Sequence, residues 1–221
     1  MAQLSISPPS SNGRTHVTSN TAQHRLPRYS APAIALHWAI ATLIVVNFVI
    51  GLRFDGLKGL ALFNLMQWHK SFGVTVLALS LARLAWRVVH PPPPYPAHMP
   101  AWERAAASLV HWGFYALMIG LPITGWIIVS ASPTNIPTLL YKTIPWPHIG
   151  LVHDLPMAVR QRLEDQTGKI HESLAWGAAA LLVLHVGAAL RHQLFSRDEV
   201  HWRMAPIPLL KARRAPVQEV Q

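Results

Sequence analysis

No cysteine occurs among the 221 residues of this chain. Disulfides, thiolate zinc sites, cysteine-held iron–sulfur clusters and covalently attached c-type haem, which needs a Cys-x-x-Cys-His motif, are therefore excluded. Charge is scarce as well. Only 13% of the residues are charged, against the ~25% of an ordinary soluble domain. Acidic residues are the scarcest: nine Asp and Glu face 19 Lys and Arg, for a formal net charge of +10. A basic balance points either to nucleic acid or to an anionic membrane surface. Residues 1–33 are rich in Ser, Thr and Pro but lack the apolar stretch of a secretory signal peptide, and read as a flexible tail.

Long apolar runs are what the chain does have. Four stretches reach the roughly 20 residues that a helix needs to cross a bilayer: Ile34–Leu52, Ser71–Val89, Ala105–Ala131 and Ile170–Leu190. A soluble helix of that length carries a polar face, and these mostly do not. The expected fold is all-α, a transmembrane four-helix bundle over residues 31–195. A flexible N-terminal tail (1–30) and a basic C-terminal tail (196–221) flank it. The run "HPPPPYP" (His90–Pro96) cannot continue a helix and reads as a stiff linker. Residues 132–168 form the longest loop, and "LPMAVRQRLEDQTG" within it reads as a short surface helix.

Orientation follows from Lys and Arg. Arg14, Arg25 and Arg28 lie in the N-tail, and Arg83, Arg87 and Arg104 lie around the second connection. Arg191, Arg197, Arg203, Lys211, Arg213 and Arg214 lie in the C-tail. These are 12 of the 19 basic residues. Both termini are expected to be cytoplasmic, which accounts for the positive charge without a nucleic-acid partner. Trp38, Trp68, Trp86, Trp112, Trp126 and Trp176 lie near span ends, as an aromatic belt would.

Ionisable side chains inside spans are costly and mark functional sites. Here they are histidines; the one carboxylate is Glu172, at a span edge. His171 and His185 are 14 residues apart. That spacing rises about 21 Å and rotates about 1400°, within about 40° of whole turns. The two therefore share a face of the fourth span at two depths, His171 toward the outer side and His185 toward the inner. A single metal site would use i and i+3 or i+4. Alternating span directions pair His37 with His185 and His69 with His171. Two pairs from different helices fit axial ligation of two haems in the core of a bundle. Gly73, Gly113, Gly120, Gly125, Gly177 and Gly187 are expected to leave room for the flat rings. Arg83, 14 residues after His69, is expected to meet propionates of the inner haem, with Arg87 a second candidate. His192 and His111 compete as inner ligands; burial favours His185 over His192. Lys70 belongs at the outer surface. His16, His24, His90, His98, His148, His153 and His201 fall in tails and loops and are expected to be solvent-exposed.

The ordered set "IALHWAIATLIV", "WHKSFG", "LARLAWR", "GLPITGW" and "IHESLAWGAAALLVLHVGAAL" resembles the bacterial cytochrome b561 family over about residues 28–200. The resemblance implies a multi-pass protein of the bacterial inner membrane with two haem b, and His37, His69, His171 and His185 as axial iron ligands. It implies electron transfer between a periplasmic redox partner and ubiquinone, some members being superoxide oxidases. Lys70, Arg160, Arg162 and Lys169 are expected to attract such an anion. Related cytochrome b subunits of hydrogenases and formate dehydrogenases offer an alternative, a membrane anchor for a catalytic partner. A histidine-based metal or proton transporter is a remote one, weakened by the missing buried carboxylates.

Overall fold

The computed structural model describes residues 28–95, 99–191, 193–194 and 203–205. Most of both expected tails lies outside them, as do His16, His24, His98, His192 and His201. Helices α1 (Ala31–Gly51), α2 (Gly59–Val89), α3 (Ala101–Ala131) and α5 (Met157–Arg191) are long and apolar enough to cross a membrane. Between α3 and α5 lie a hairpin, β1 (Thr138–Leu140) and β2 (Ile144–Trp146), and a one-turn helix α4 (Gly150–His153).

Local chemistry explains most of the helix ends. Ser30 precedes α1 with Pro32 in its first turn, where a missing N–H costs nothing. Gly59 enters α2 at φ 60°, a left-handed backbone that glycine adopts without strain. The α2 helix stops at His90, because the prolines that follow supply no N–H.

Two helix starts differ from the expectation. α2 begins at Gly59 rather than Ser71, so His69 lies inside the helix. The expected surface helix at Leu155–Gly168 is instead the first part of α5, which runs without a break from Met157. Gly168 alone costs a helix about 1 kcal/mol, too little to break one supported on both sides. The extra turns carry α5 past the ~30 Å hydrocarbon thickness of a bilayer.

The packing is uneven. Close backbone contact joins α1 to α2, α2 to α3 and α3 to α5. The buried core is Ile40, Val76, Tyr115 and Met118, from α1, α2 and α3. α5 adds nothing to it; its buried residues are Arg160 and Thr167, in its first turns. Val183 and Leu184 are 71% and 67% exposed, as a lipid-facing surface would be. α5 meets α1 and α2 through large side chains instead, such as Phe48 against Trp176 at 5.6 Å.

The hairpin is pinned to α2. Gln67 Nε2 donates to Pro137 O (2.9 Å), and Leu139 N–H donates to Gln67 Oε1 (3.0 Å). Tyr141 N–H donates to Ser71 Oγ at 2.7 Å. Tyr141 and Lys142 form the turn at φ 51° and 63°. Neither is the Gly or Asn such a turn prefers, so tertiary contact imposes the conformation. Trp68 and Phe72 pack around the Tyr141 ring, and Lys142 lies over Trp68 at 6.0 Å.

Arg160 corrects another expectation. It is 6% exposed and does not face an incoming anion. Its Nε donates to Ala131 O (3.1 Å), and its NH2 donates to Ser132 O and Asn135 Oδ1 (2.5 and 2.7 Å). It thus satisfies carbonyls that the C-terminus of α3 leaves without helical partners. Arg160→Met is expected to destabilise the protein by about 3 kcal/mol, since hydrogen bonds to charged groups are worth 1.5–3 kcal/mol each and are not additive. Thermal unfolding in detergent reads this directly; an unchanged transition would remove Arg160 from the anchoring role.

Candidate cofactor-binding site

The seam between α5 and the α1–α2 pair is bridged by histidines at two depths. At the hairpin end, the His69 and His171 ring centroids are 6.2 Å apart. At the opposite end, His37 and His185 are 6.3 Å apart. Two imidazoles bonded to one metal from opposite sides at about 2 Å would place their ring centroids roughly 6 Å apart. Both separations match that, and both are too long for direct hydrogen bonding between ring nitrogens held edge to edge.

The hairpin-end pair is set for ligation by its hydrogen bonds. His69 Nδ1 lies 3.2 Å from Asn47 O. A carbonyl only accepts, so His69 carries its proton on Nδ1 and keeps the Nε2 lone pair free. Thr124 Oγ1 gives its own proton to Leu121 O (2.8 Å) and accepts from His171 Nδ1 (2.8 Å). That again leaves Nε2 as the free lone pair. Such outer partners fix the tautomer and orientation of metal-binding histidines. Two glycines lie at contact distance from these rings. A Cβ at Gly51 would stand 3.5 Å from His69 Cε1, and one at Gly125 would stand 3.4 Å from His171 Cε1. Gly125 was among the glycines expected to make room; Gly51 was not. Gly120, Gly177 and Gly187 border open space.

The other end is less symmetrical. Arg83 NH1 lies 3.1 Å from His37 Nδ1. A guanidinium only donates, so His37 Nδ1 accepts here. His111 also faces His185, with centroids 6.1 Å apart, and Phe114 lies 5.3 Å from it. The structure thus brings two histidines to His185 at nearly equal distance, and the ambiguity between His37 and His111 persists in three dimensions. Arg87 sits over Trp112 and Tyr115 at 5.8 and 6.0 Å. Arg83 and Arg87 line a shallow cavity with Tyr29, Trp86, His90 and Met204. Burial there pushes the Tyr29 phenol up.

Three loop histidines are less exposed than expected or are held by neighbours. His90 stacks on Trp86 at 4.0 Å. His148 and His153 are half-buried and face each other, with ring centroids 5.0 Å apart. No sequence signal marks that pair beyond a five-residue spacing.

The family model described as "Prokaryotic cytochrome b561" matches residues 28–206, which spans all four long helices. Cytochrome b561 homolog 2 of Escherichia coli (strain K12) is 29% identical over 184 residues, 80% of this chain and 90% of that protein. Cytochrome b561 homolog 1 of the same organism is 28% identical over 181 residues, 81% of this chain and 97% of that protein. A protein of Yersinia pestis named "Probable superoxide oxidase CybB" is 27% identical over 183 residues, 81% and 96% of the two chains. Four long apolar helices and this match together make the protein a multi-pass, haem b-binding electron-transfer protein of the bacterial inner membrane. The chain belongs to the prokaryotic cytochrome b561 family.

Proposed function

We propose that this protein holds two haem b groups and moves electrons between a one-electron donor on the periplasmic face and ubiquinone. One observation carries the reading: two histidine pairs at metal-bridging distance, 6.2 and 6.3 Å, at two depths of one seam. His69 and His171 hold the outer haem, and His37 and His185 hold the inner. Haem supplies one-electron storage at iron, with a potential set by ligands, burial and nearby charge. The chain's part is to orient four imidazoles, exclude water from the seam and place cations near the rims. The basic N-tail, Arg83 to Arg104 region and C-tail support cytoplasmic termini, which puts the hairpin on the periplasmic side. Lys70 and Arg162 then give that side positive charge, and superoxide is the donor that such charge favours. The relative named as a probable superoxide oxidase supports the same donor.

Ligation through His37 Nε2 puts a proton on Nδ1, and Arg83 then faces another donor. Arg83 must turn away, and a propionate carboxylate is the partner its fork fits. A cation beside the inner haem favours its reduced form. Arg83→Gln is therefore expected to lower the inner haem potential by on the order of 50–90 mV, taking one charge at roughly 8 Å and an effective dielectric near 20. A spectroelectrochemical titration measures this; two unshifted midpoints would take Arg83 out of the site.

The proposed activity is tested on the haem-loaded protein with enzymatically generated superoxide and a soluble ubiquinone analogue. Haem reduction and quinol formation, both lost in His171→Leu, are the expected results. Neither haem nor quinone becoming reduced would exclude superoxide as the donor.

A further inference from the structure

We propose that His148 and His153, with the main-chain carbonyl of Ser130, form a binding site for a divalent, imidazole-preferring cation such as zinc. The site lies at the hairpin end of the bundle and is separate from the histidines of the seam.

The distances carry this. His148 Nδ1 and His153 Nδ1 are 3.4 Å apart, and His153 Nδ1 is 3.4 Å from Ser130 O. Both are long for hydrogen bonds to imidazole, whose usual length is near 2.9–3.0 Å. Both match the edge of a coordination tetrahedron: metal bonds of about 2.0–2.1 Å at tetrahedral angles set neighbouring donor atoms roughly 3.3–3.4 Å apart. Two Nδ1 atoms facing each other also hold at most one proton between them in comfort. A shared cation satisfies both lone pairs.

The surroundings hold the donors in place. Trp126 Nε1 donates to Pro147 O (2.8 Å), and Ile149 N–H donates to Ser130 Oγ (2.9 Å). These bonds fix the chain on both sides of His148 against α3. Arg160 takes the carbonyls of Ala131 and Ser132, so Ser130 O is left facing His153 at the negative end of the α3 dipole. His148 is held below the usual histidine range, first by desolvation and then by His153, Lys70 and Arg160. The positive charges of Lys70 and Arg160 limit the affinity. Among the described residues no third His, Cys, Asp or Glu completes the set, so water takes the fourth position and the ion is exchangeable. Gly125, whose backbone adjoins His171, and Trp126 and Ser130, which hold this loop, are neighbours on α3. An ion here stands beside the outer end of the seam, where it adds positive charge.

The test uses the untagged, haem-loaded full chain in detergent, titrated with zinc chloride in a calorimeter. One micromolar-range zinc per chain is expected, weakened about tenfold or more by His148→Gln and by His153→Gln. The haem spectrum should be unchanged in both variants. Zinc-edge X-ray absorption should then show two imidazole nitrogens at about 2.0 Å. No zinc uptake, or uptake as tight in the double variant, would overturn the proposal, the latter placing the ion on other histidines. Haem content is counted separately, so failure here is distinguishable from failure of the di-haem reading.

Discussion

His171→Leu is expected to cut the haem content from two per chain to one and to erase the low-spin signal of the outer haem. The expectation follows from geometry. Of the two seam pairs among the described residues, His171 and His69 are the one whose Nδ1 protons are both committed, to Thr124 Oγ1 and to Asn47 O. Both Nε2 atoms are thereby presented with free lone pairs. Leucine is close to histidine in volume and can fill the gap, so the loss is of a ligand rather than of packing. The fold should tolerate it, because α5 contributes nothing to the buried core and its first turns remain fixed by Arg160. The inner haem provides the internal control. If its spectrum survives while the outer one vanishes, ligand and fold are separated in one experiment. Retention of two low-spin haems would show that His171 is not an axial ligand.

At the opposite end, His37→Leu is expected to remove the inner haem's low-spin signal, whereas His111→Leu leaves it in place. The two histidines lie at nearly the same distance from His185, 6.3 and 6.1 Å. On the proposed reading, an iron bound by His185 would take one further histidine, so one of the two would be the ligand and the other a neighbour. His37 is chosen because α1 and α5 are joined by side chains across the open seam, whereas α3 and α5 are already in backbone contact. A porphyrin needs width between its two ligand helices, and the α3–α5 contact leaves less of it. Arg83 beside His37 adds a partner for a propionate. The reverse outcome, loss of the signal in His111→Leu and survival in His37→Leu, would move the inner site onto α3. Electron paramagnetic resonance of the oxidised protein reads both cases without recourse to activity.

The four spans were legible because an apolar run of some twenty residues has few alternatives in water or lipid. Their ends were harder to read. "QWHK" looked like a boundary before the second span, but Gln67 is 1% exposed and buries its amide against the hairpin strand. The polar start of α5 looked like a separate helix because hydropathy falls where a helix leaves the membrane, even when its backbone continues. The hairpin had no local signature: its turn is Tyr141–Lys142, held at positive φ by contacts with α2. Arg160 looked like a free surface charge and is a buried tie between the α3 terminus and α5, a role visible only when the two are placed together. The histidine spacing of 14 carried the most information, since helix geometry alone places His171 and His185 on one face. What spacing could not decide was the partner of His185, because depth along a helix does not distinguish α1 from α3.

The most direct test is a reduced-minus-oxidised spectrum of the purified wild-type protein, with the haem extracted and counted per chain. The account predicts two non-covalent haem b groups, both low-spin. An absence of haem, or a sub-stoichiometric content that does not respond to changes at His171 or His185, would contradict it.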